Sequence, residues 1–297
     1  MKSGETKMKK IVAFTLLLCM VLTLAACGKV EITMQEIYDA SQTEALLKNH
    51  QSVYIRNEMD GELWRETYLT KDYAFDYIPD EEFPWVQFMT DDACYHYDAG
   101  NTLLYLFITP DGVSDFASER AETYASVIWG EEILEQSIES VIKKDGRIIA
   151  TSALSGESLE ILAEDGVTAC KFEYVLDAKT REMVSLVSDY TYDDGSPFNV
   201  TAEVTYDTEA SEMLNEFLGY VNQTENLRNV TVVSNPGTEK EESKSIKAPK
   251  GLIIGFKYDD EFENAAEFYT DAACTESYDP FADTDADLTV YVKWSNT

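Results

Sequence analysis

Phe198-Asn-Val-Thr-Ala-Glu-Val-Thr-Tyr-Asp207 sets Phe198, Val200, Ala202, Val204 and Tyr206 on one side of an extended chain. Asn199, Thr201, Glu203, Thr205 and Asp207 fall on the other side. A period of two sustained along the whole stretch excludes a helix, whose apolar positions recur three and four residues apart, and marks a half-buried antiparallel strand. Two long β-prone runs precede it, at 167–177 and 181–192. They are divided by Ala178, Lys179 and Thr180 and then by Asp193-Asp-Gly-Ser196. Three long runs joined by short polar turns predict an antiparallel meander.

The same grammar extends toward the N-terminus. Asp60-Gly61 between 52–58 and 63–70 is a two-residue hairpin signal. Further strands are predicted over 73–78, where Tyr73, Phe75 and Tyr77 alternate, and over 85–89, 93–97 and 102–108. The run 103–108 is apolar on both faces and calls for cover on both. Residues 114–138 are helix-like in composition, and Lys144-Asp-Gly146 predicts a turn between 138–143 and 147–152. A short helix is expected at 158–164, ended by Gly166, and a closing helix at 211–220. Ahead of all this, Thr33-Met-Gln-Glu36 and Ser41-Gln-Thr-Glu44 both read as capping boxes for one or two short helices.

The first 26 residues follow a different logic. Lys7, Lys9 and Lys10 form a basic cluster, followed by an almost wholly apolar run at 11–24. At about 14 residues this run is short of the roughly 20 that span a bilayer and suits the h-region of a signal peptide. It ends in Leu24-Ala-Ala-Cys27 with Gly28 next, which resembles the bacterial lipobox. The alternative is an ordinary signal peptide with a chance Cys. The resemblance implies that Cys27 receives a diacylglyceryl group and becomes the first mature residue. Two acyl chains, at about 0.8 kcal/mol per buried CH2, give stable attachment. The implied location is the extracytoplasmic face of a cell membrane, in a Gram-positive-like bacterium.

Composition limits the partners. The full chain carries a formal charge of −33, and removing the leader's four Lys and one Glu leaves about −36. Such a surface repels nucleic acid, so no nucleic-acid partner is expected. A hydrophobic content of 44% is nevertheless enough to build a core. Cys94, Cys170 and Cys274 remain beyond Cys27. An odd number argues against a full disulfide framework, and pairing of Cys94 with Cys170 stays open.

The order of elements over 31–220 resembles the lipoprotein-carrier half-barrel of LolA-type carriers and LppX-type lipoproteins: lipobox, N-terminal helix, long meander, helical insertion, more strands, closing helix. Phe172-Glu-Tyr-Val-Leu-Asp-Ala-Lys-Thr-Arg-Glu-Met-Val-Ser185 is similar to a strand–turn–strand of that family. The resemblance implies an apolar ligand held between a curved sheet and covering helices, with no site residue transferable by motif. After a polar stretch at 221–229, Phe268-Tyr-Thr-Asp-Ala-Ala-Cys-Thr275 and Leu288-Thr-Val-Tyr-Val-Lys-Trp294 resemble the internalin-type B-repeat. The run 256–266 departs from that pattern. This resemblance implies a small β-grasp-like surface module that serves as a spacer or interaction unit.

The expected fold class is therefore α+β: a curved antiparallel half-barrel with covering helices at 33–222, then a small β-rich domain at 229–297. A lipidated tether at 27–32 and a linker at 223–228 flank the first of these. Chemistry is thin. His50, at the end of the first helical stretch, reads as a solvated residue, and Cys94 with His96 falls short of the three or four ligands a metal needs. Asp283, Asp285 and Asp287 resemble half a calcium loop without its Gly and distal Glu. No nucleophile elbow, P-loop or dinucleotide-binding glycines occur, so neither an enzyme nor a cofactor is expected. The candidate ligand residues are the aromatics Trp64, Tyr68, Phe75, Tyr77, Trp85, Phe88, Tyr105 and Phe107, which either line an apolar cavity or form ordinary core. The expected function is an apolar-ligand-binding lipoprotein. The alternative is a surface interaction or adhesion lipoprotein that meets a protein partner through 229–297.

Overall fold

The computed structural model describes residues 31–79, 85–90, 94–98, 103–109, 112–113, 134, 136–163, 165–209, 212–221, 226–257, 266–281 and 285–295. The leader and Cys27 lie outside the described residues, as does most of the helix-like stretch 114–138.

Among the described residues thirteen strands form one large curved sheet. Its first half is β1 (Ser52–Met59), β2 (Glu62–Thr70), β3 (Tyr73–Ile78), β4 (Trp85–Thr90), β5 (Cys94–Asp98) and β6 (Leu103–Thr109). A two-residue stub, β7 (Gly112–Val113), folds back on β6. The second half is β8 (Ser137–Lys144), β9 (Arg147–Ala153), β10 (Val167–Asp177), β11 (Met183–Tyr192) and β12 (Pro197–Tyr206). The halves join where β1 pairs antiparallel with β12, Val53 facing Tyr206 and Met59 facing Val200. The two-residue hairpins are as the sequence predicts. Asp60 (φ 51°) and Gly61 (φ 83°), and Asp145 (φ 50°) and Gly146 (φ 75°), are both left-handed pairs. That is the backbone of the type I′ turn, which matches strand twist.

The remaining strands are β13 (Leu227–Ser234), β14 (Glu242–Pro249), β15 (Ile253–Lys257), β16 (Ala266–Tyr269) and β17 (Leu288–Trp294). Four of them make a second sheet in the order β14-β13-β17-β16, with β13 and β17 parallel. The fifth does not join it. β15 crosses to the large sheet and pairs in parallel with β6, Ile253 facing Leu103 and Lys257 facing Phe107. Backbone pairing thus runs across the boundary expected at 223–228. Gly255 is needed in β15 for a local reason. A Cβ there would lie 2.8 Å from the ring carbons of Tyr105.

The expected α+β class with covering helices is corrected by these elements. Among the described residues strand accounts for 58% and helix for 12%, so the protein is mostly β. The helices are short: α1 (Met34–Ser41), α2 (Thr43–Leu47), α3 (Glu157–Ala163) and α4 (Glu212–Val221). None makes a layer of its own, and a second sheet closes much of one face instead.

Two cores result. One lies on the face bearing α1 and α2. There Ile37 and Leu46 meet Val53, Ile55, Leu69, Tyr174, Leu176, Met183, Ala202 and Val204. Ala202 and Val204 are buried while Glu203 and Thr205 are exposed, as the opening alternation requires. Thr33 caps α1 through a reciprocal bond with Glu36. α2 departs from expectation: its N-cap is Gln42, which makes no side-chain capping bond. The other core, on the opposite face, joins β2–β6 and α4 to the C-terminal strands.

Cys170 is a buried free thiol and Cys274 is also free, so the Cys94–Cys170 pairing does not form. Six strands separate β5 from β10 in the sheet order. At about 4.8 Å per strand step that lies far beyond the roughly 7 Å Cα limit for a disulfide.

His50 is not simply solvated. Its Nδ1 lies 2.7 Å from Asp207 Oδ2, its Nε2 lies 3.1 Å from Glu182 Oε1, and its ring sits 4.3 Å from that of Tyr206. The end of the helical segment is thereby clamped to the chain just before β11 and just after β12. Burial alone would lower the His50 pKa, but hydrogen bonds to both carboxylates raise it above 6.5. Burial pushes Glu182 up, but bonds from Thr180, His50 and Asn49 bring it below 4.5; Asp207 is held below 3.8, chiefly by His50 and the Gln51 backbone. A raised histidine contributes stability that is fully present below 6.5 and is lost as pH rises through the raised value. The depressed carboxylates contribute stability above their ordinary values that is lost as pH falls through the lowered ones. The clamp is thus strongest between 4.5 and 6.5. His50→Gln should lower the melting temperature more at pH 5.5 than at pH 8. Equal losses at the two pH values would count against a charged clamp.

Candidate ligand-binding face

The register of β2 to β6 sorts their side chains onto two faces, since neighbours alternate along a strand and cross-strand partners share a side. Tyr68 faces Phe75, Phe75 faces Phe88, Phe88 faces Tyr95, and Tyr95 faces Leu106. This aromatic face is closed by the chain itself. Tyr68, Phe75 and Phe88 belong to one contiguous core with Val230, Val232, Ile246, Ile254, Val290 and Trp294. Tyr95 donates its hydroxyl to the Lys247 carbonyl at 2.8 Å, and Tyr278 donates to Ile254 at 2.9 Å. Tyr73 links Tyr68 to Phe88, at 6.4 and 5.4 Å between ring centres.

The eight candidate aromatics therefore do not form one group. Phe75 and Phe88 are fully buried on this face, and Tyr68 nearly so. Tyr77 is half-buried and packs against the same core, and Trp64 is half-buried beside the β1–β2 bulge. Tyr105 lies on the opposite face, 5.8 Å from His96. Trp85 and Phe107 have backbone positions in β4 and β6, opposite Ile78 and Lys257, and their side chains are outside the described ones. The anchor Cys27 is outside the described residues as well.

The opposite face, which carries α1 and α2 further along the sheet, holds what the sequence reading missed. Thr67 faces Asp76, Asp76 faces Gln87, Gln87 faces His96, and His96 faces Tyr105. This is a straight row with one polar side chain from each of five successive strands. Thr67, Asp76, Gln87 and His96 are all buried, Asp76 and Gln87 completely. Arg65, 2% exposed, adds a charge-assisted bond from Nε to Asp76 Oδ1 at 2.5 Å, and Thr67 donates to the same oxygen at 2.9 Å. Burial pushes the Asp76 carboxyl above its ordinary value, against the pull of Arg65 and Thr67. Beside this row runs an apolar one, Leu69 facing Ala74 and Ala74 facing Met89, all buried in the core that also holds Ile37 and Leu46.

Alternation alone makes Arg65, Thr67 and Asp76 look like the solvated side of strands whose other side is aromatic. The available signal was the long run of strands without a polar face on β6, which already demanded cover on both sides. Among the described residues, no group of three or more His, Cys, Asp and Glu side chains is placed to hold a metal. Among them, too, no helix is long and apolar enough to cross a membrane.

No protein-family model matches the chain, and no curated protein matches it in sequence. Several solved structures are similar in arrangement. The Mycobacterium tuberculosis lipoprotein LppX is 10% identical, over 60% of this chain and 94% of that one, with a TM-score of 0.35. A conserved protein of Thermus thermophilus is 12% identical over 61% and 91%, with a TM-score of 0.33. A LolA-superfamily protein of Nitrosomonas europaea is 7% identical over 62% and 97%, with a TM-score of 0.25. At these scores the face described above is interpreted from its own residues.

Proposed function

We propose that this chain is a non-enzymatic bacterial lipoprotein, tethered through Cys27 to the extracytoplasmic face of the cell membrane, that holds an apolar or amphiphilic ligand. The site is the face of the large sheet opposite the aromatic core. One observation carries the ligand reading: five polar side chains in register, four of them buried, are set beside an apolar row on that face. Burying polar and charged groups costs stability, and apolar residues of similar volume serve a purely structural face as well or better. A face that recognises a ligand has a use for them. The tether is supported by the basic cluster, the apolar run and Leu24-Ala-Ala-Cys27.

The tether is tested by Cys27→Ala. The wild-type chain should take up labelled palmitate and sediment with membranes. The variant should take up none and leave the membrane fraction almost completely. Continued sedimentation of the variant would overturn the assignment.

A second reading, a surface interaction protein that presents residues 229–297, is favoured by the closure of the aromatic face by the chain's own C-terminal strands. It predicts a protein that stays bare when offered lipids.

A further inference from the structure

The large sheet has a free edge at β8. Among the described residues β9 is its one neighbour in the sheet, and no backbone group outside the sheet bonds to it. Alternate N–H and C=O groups of such a strand point outward and form a template for another strand. β8 contains no proline, and six of its eight side chains are exposed, so the chain does not cover this edge itself. Ile142 is 51% exposed, one of two large apolar side chains so exposed among the described residues. It faces Ile149 on β9, which faces Val175 on β10, and this apolar strip runs out to the edge.

Charge decides which strand fits there. Lysines on an edge guard it against indiscriminate pairing. On β8 both lysines, Lys143 and Lys144, stand at one end and Glu139 stands at the other. The bulge between Ile138 and Ser140 also leaves Glu139 without a partner on β9. A second β8 laid alongside in parallel sets like charges level with one another. Laid antiparallel and centred on Val141, it sets Glu139 level with Lys143 of the other copy, twice about the axis, and Ser140 level with Ile142. The chain as a whole, at −33, repels its copies, whereas β8 carries two lysines against one glutamate. A two-fold contact of this kind uses both edges at once and closes at a dimer instead of growing into a filament.

We propose that a second copy of this chain pairs antiparallel with β8 about Val141, joining the two large sheets edge to edge and covering Ile142. The pairing is independent of the ligand reading above.

Sedimentation velocity of the mature chain with Cys27→Ala, run over a concentration series, tests it. The chain should show a monomer–dimer equilibrium with no larger species. Glu139→Lys and Lys143→Glu each bring like charges together at both contacts about the axis, and each alone should weaken dimerisation by about tenfold or more. An equimolar mixture of the two variants restores opposite charges at both contacts and should dimerise as the unsubstituted chain does. Both positions are exposed, and rescue in the mixture separates loss of pairing from loss of fold. A chain that stays monomeric throughout, dimers that the single substitutions leave unchanged, or a mixture that associates no better than either variant alone would each overturn the inference.

Discussion

Asp76→Ala is expected to lower the stability of the mature chain by about 3–5 kcal/mol, because it removes the carboxylate to which Nε of the buried Arg65 donates. Arg65 is 2% exposed and Asp76 is fully buried, so neither can turn to water without opening the sheet. The free energy of unfolding in urea, followed by tryptophan fluorescence, measures the loss as a shift in midpoint at constant slope. Replacing both partners, Arg65→Leu with Asp76→Leu, should recover most of it or exceed wild type, since a buried ion pair exchanged for apolar residues is often neutral or stabilising. The two outcomes belong together. A single variant as stable as wild type would mean that Arg65 reaches solvent, and a double variant as weak as the single would mean that the pair itself supports the fold.

A chain ending at residue 226 should fail to form a soluble monomer. The truncation removes β15, the strand paired along β6, and the second sheet that closes the aromatic face. Phe75, Phe88, Leu104 and Leu106, each no more than 1% exposed in the full chain, sit in the core that loses this cover. Fully burying one such side chain is worth about 1.5–3 kcal/mol, so uncovering several exceeds much of the roughly 5–15 kcal/mol that holds a typical domain folded. The unpaired edge of β6 adds a template for aggregation. Size-exclusion chromatography and dye binding read the result: aggregate or a dye-binding expanded species for 28–226, against a compact monomer for 28–297. A monomeric truncation that binds no dye would mean that the aromatic face is closed without the C-terminal strands.

Local structure was legible wherever it depends on neighbours in the chain. The alternation in β12 gave the face buried in the structure, Asp60-Gly61 and Asp145-Gly146 adopt the left-handed pairs their composition calls for, and Tyr73–Ile78 and Val167–Asp177 have the expected limits. Long-range pairing was not legible. Nothing in Ile253–Lys257 says that it leaves its sequence neighbours for the edge of β6, although Gly255 leaves the room that the Tyr105 ring needs. For the same reason the class was misjudged. Helix-prone composition and a familiar order of elements suggested covering helices, while β13, β14, β16 and β17 supply cover on the aromatic face. The candidate aromatics show where period-two patterning stops. It tells which residues share a side and not what lies over that side. Phe75 and Phe88 met the chain's own C-terminal strands, and the polar side that looked solvated was buried.

The central claim is that this chain carries a ligand, and native mass spectrometry of the protein purified from bacterial membranes in mild detergent tests it most directly. The account predicts a discrete added mass of lipid size that is lost under denaturing conditions and recovered by organic extraction, distinct from the covalent mass that persists on Cys27. A protein without that added mass, which also stays bare after incubation with monoolein, would contradict the account and leave the interaction-protein reading in its place.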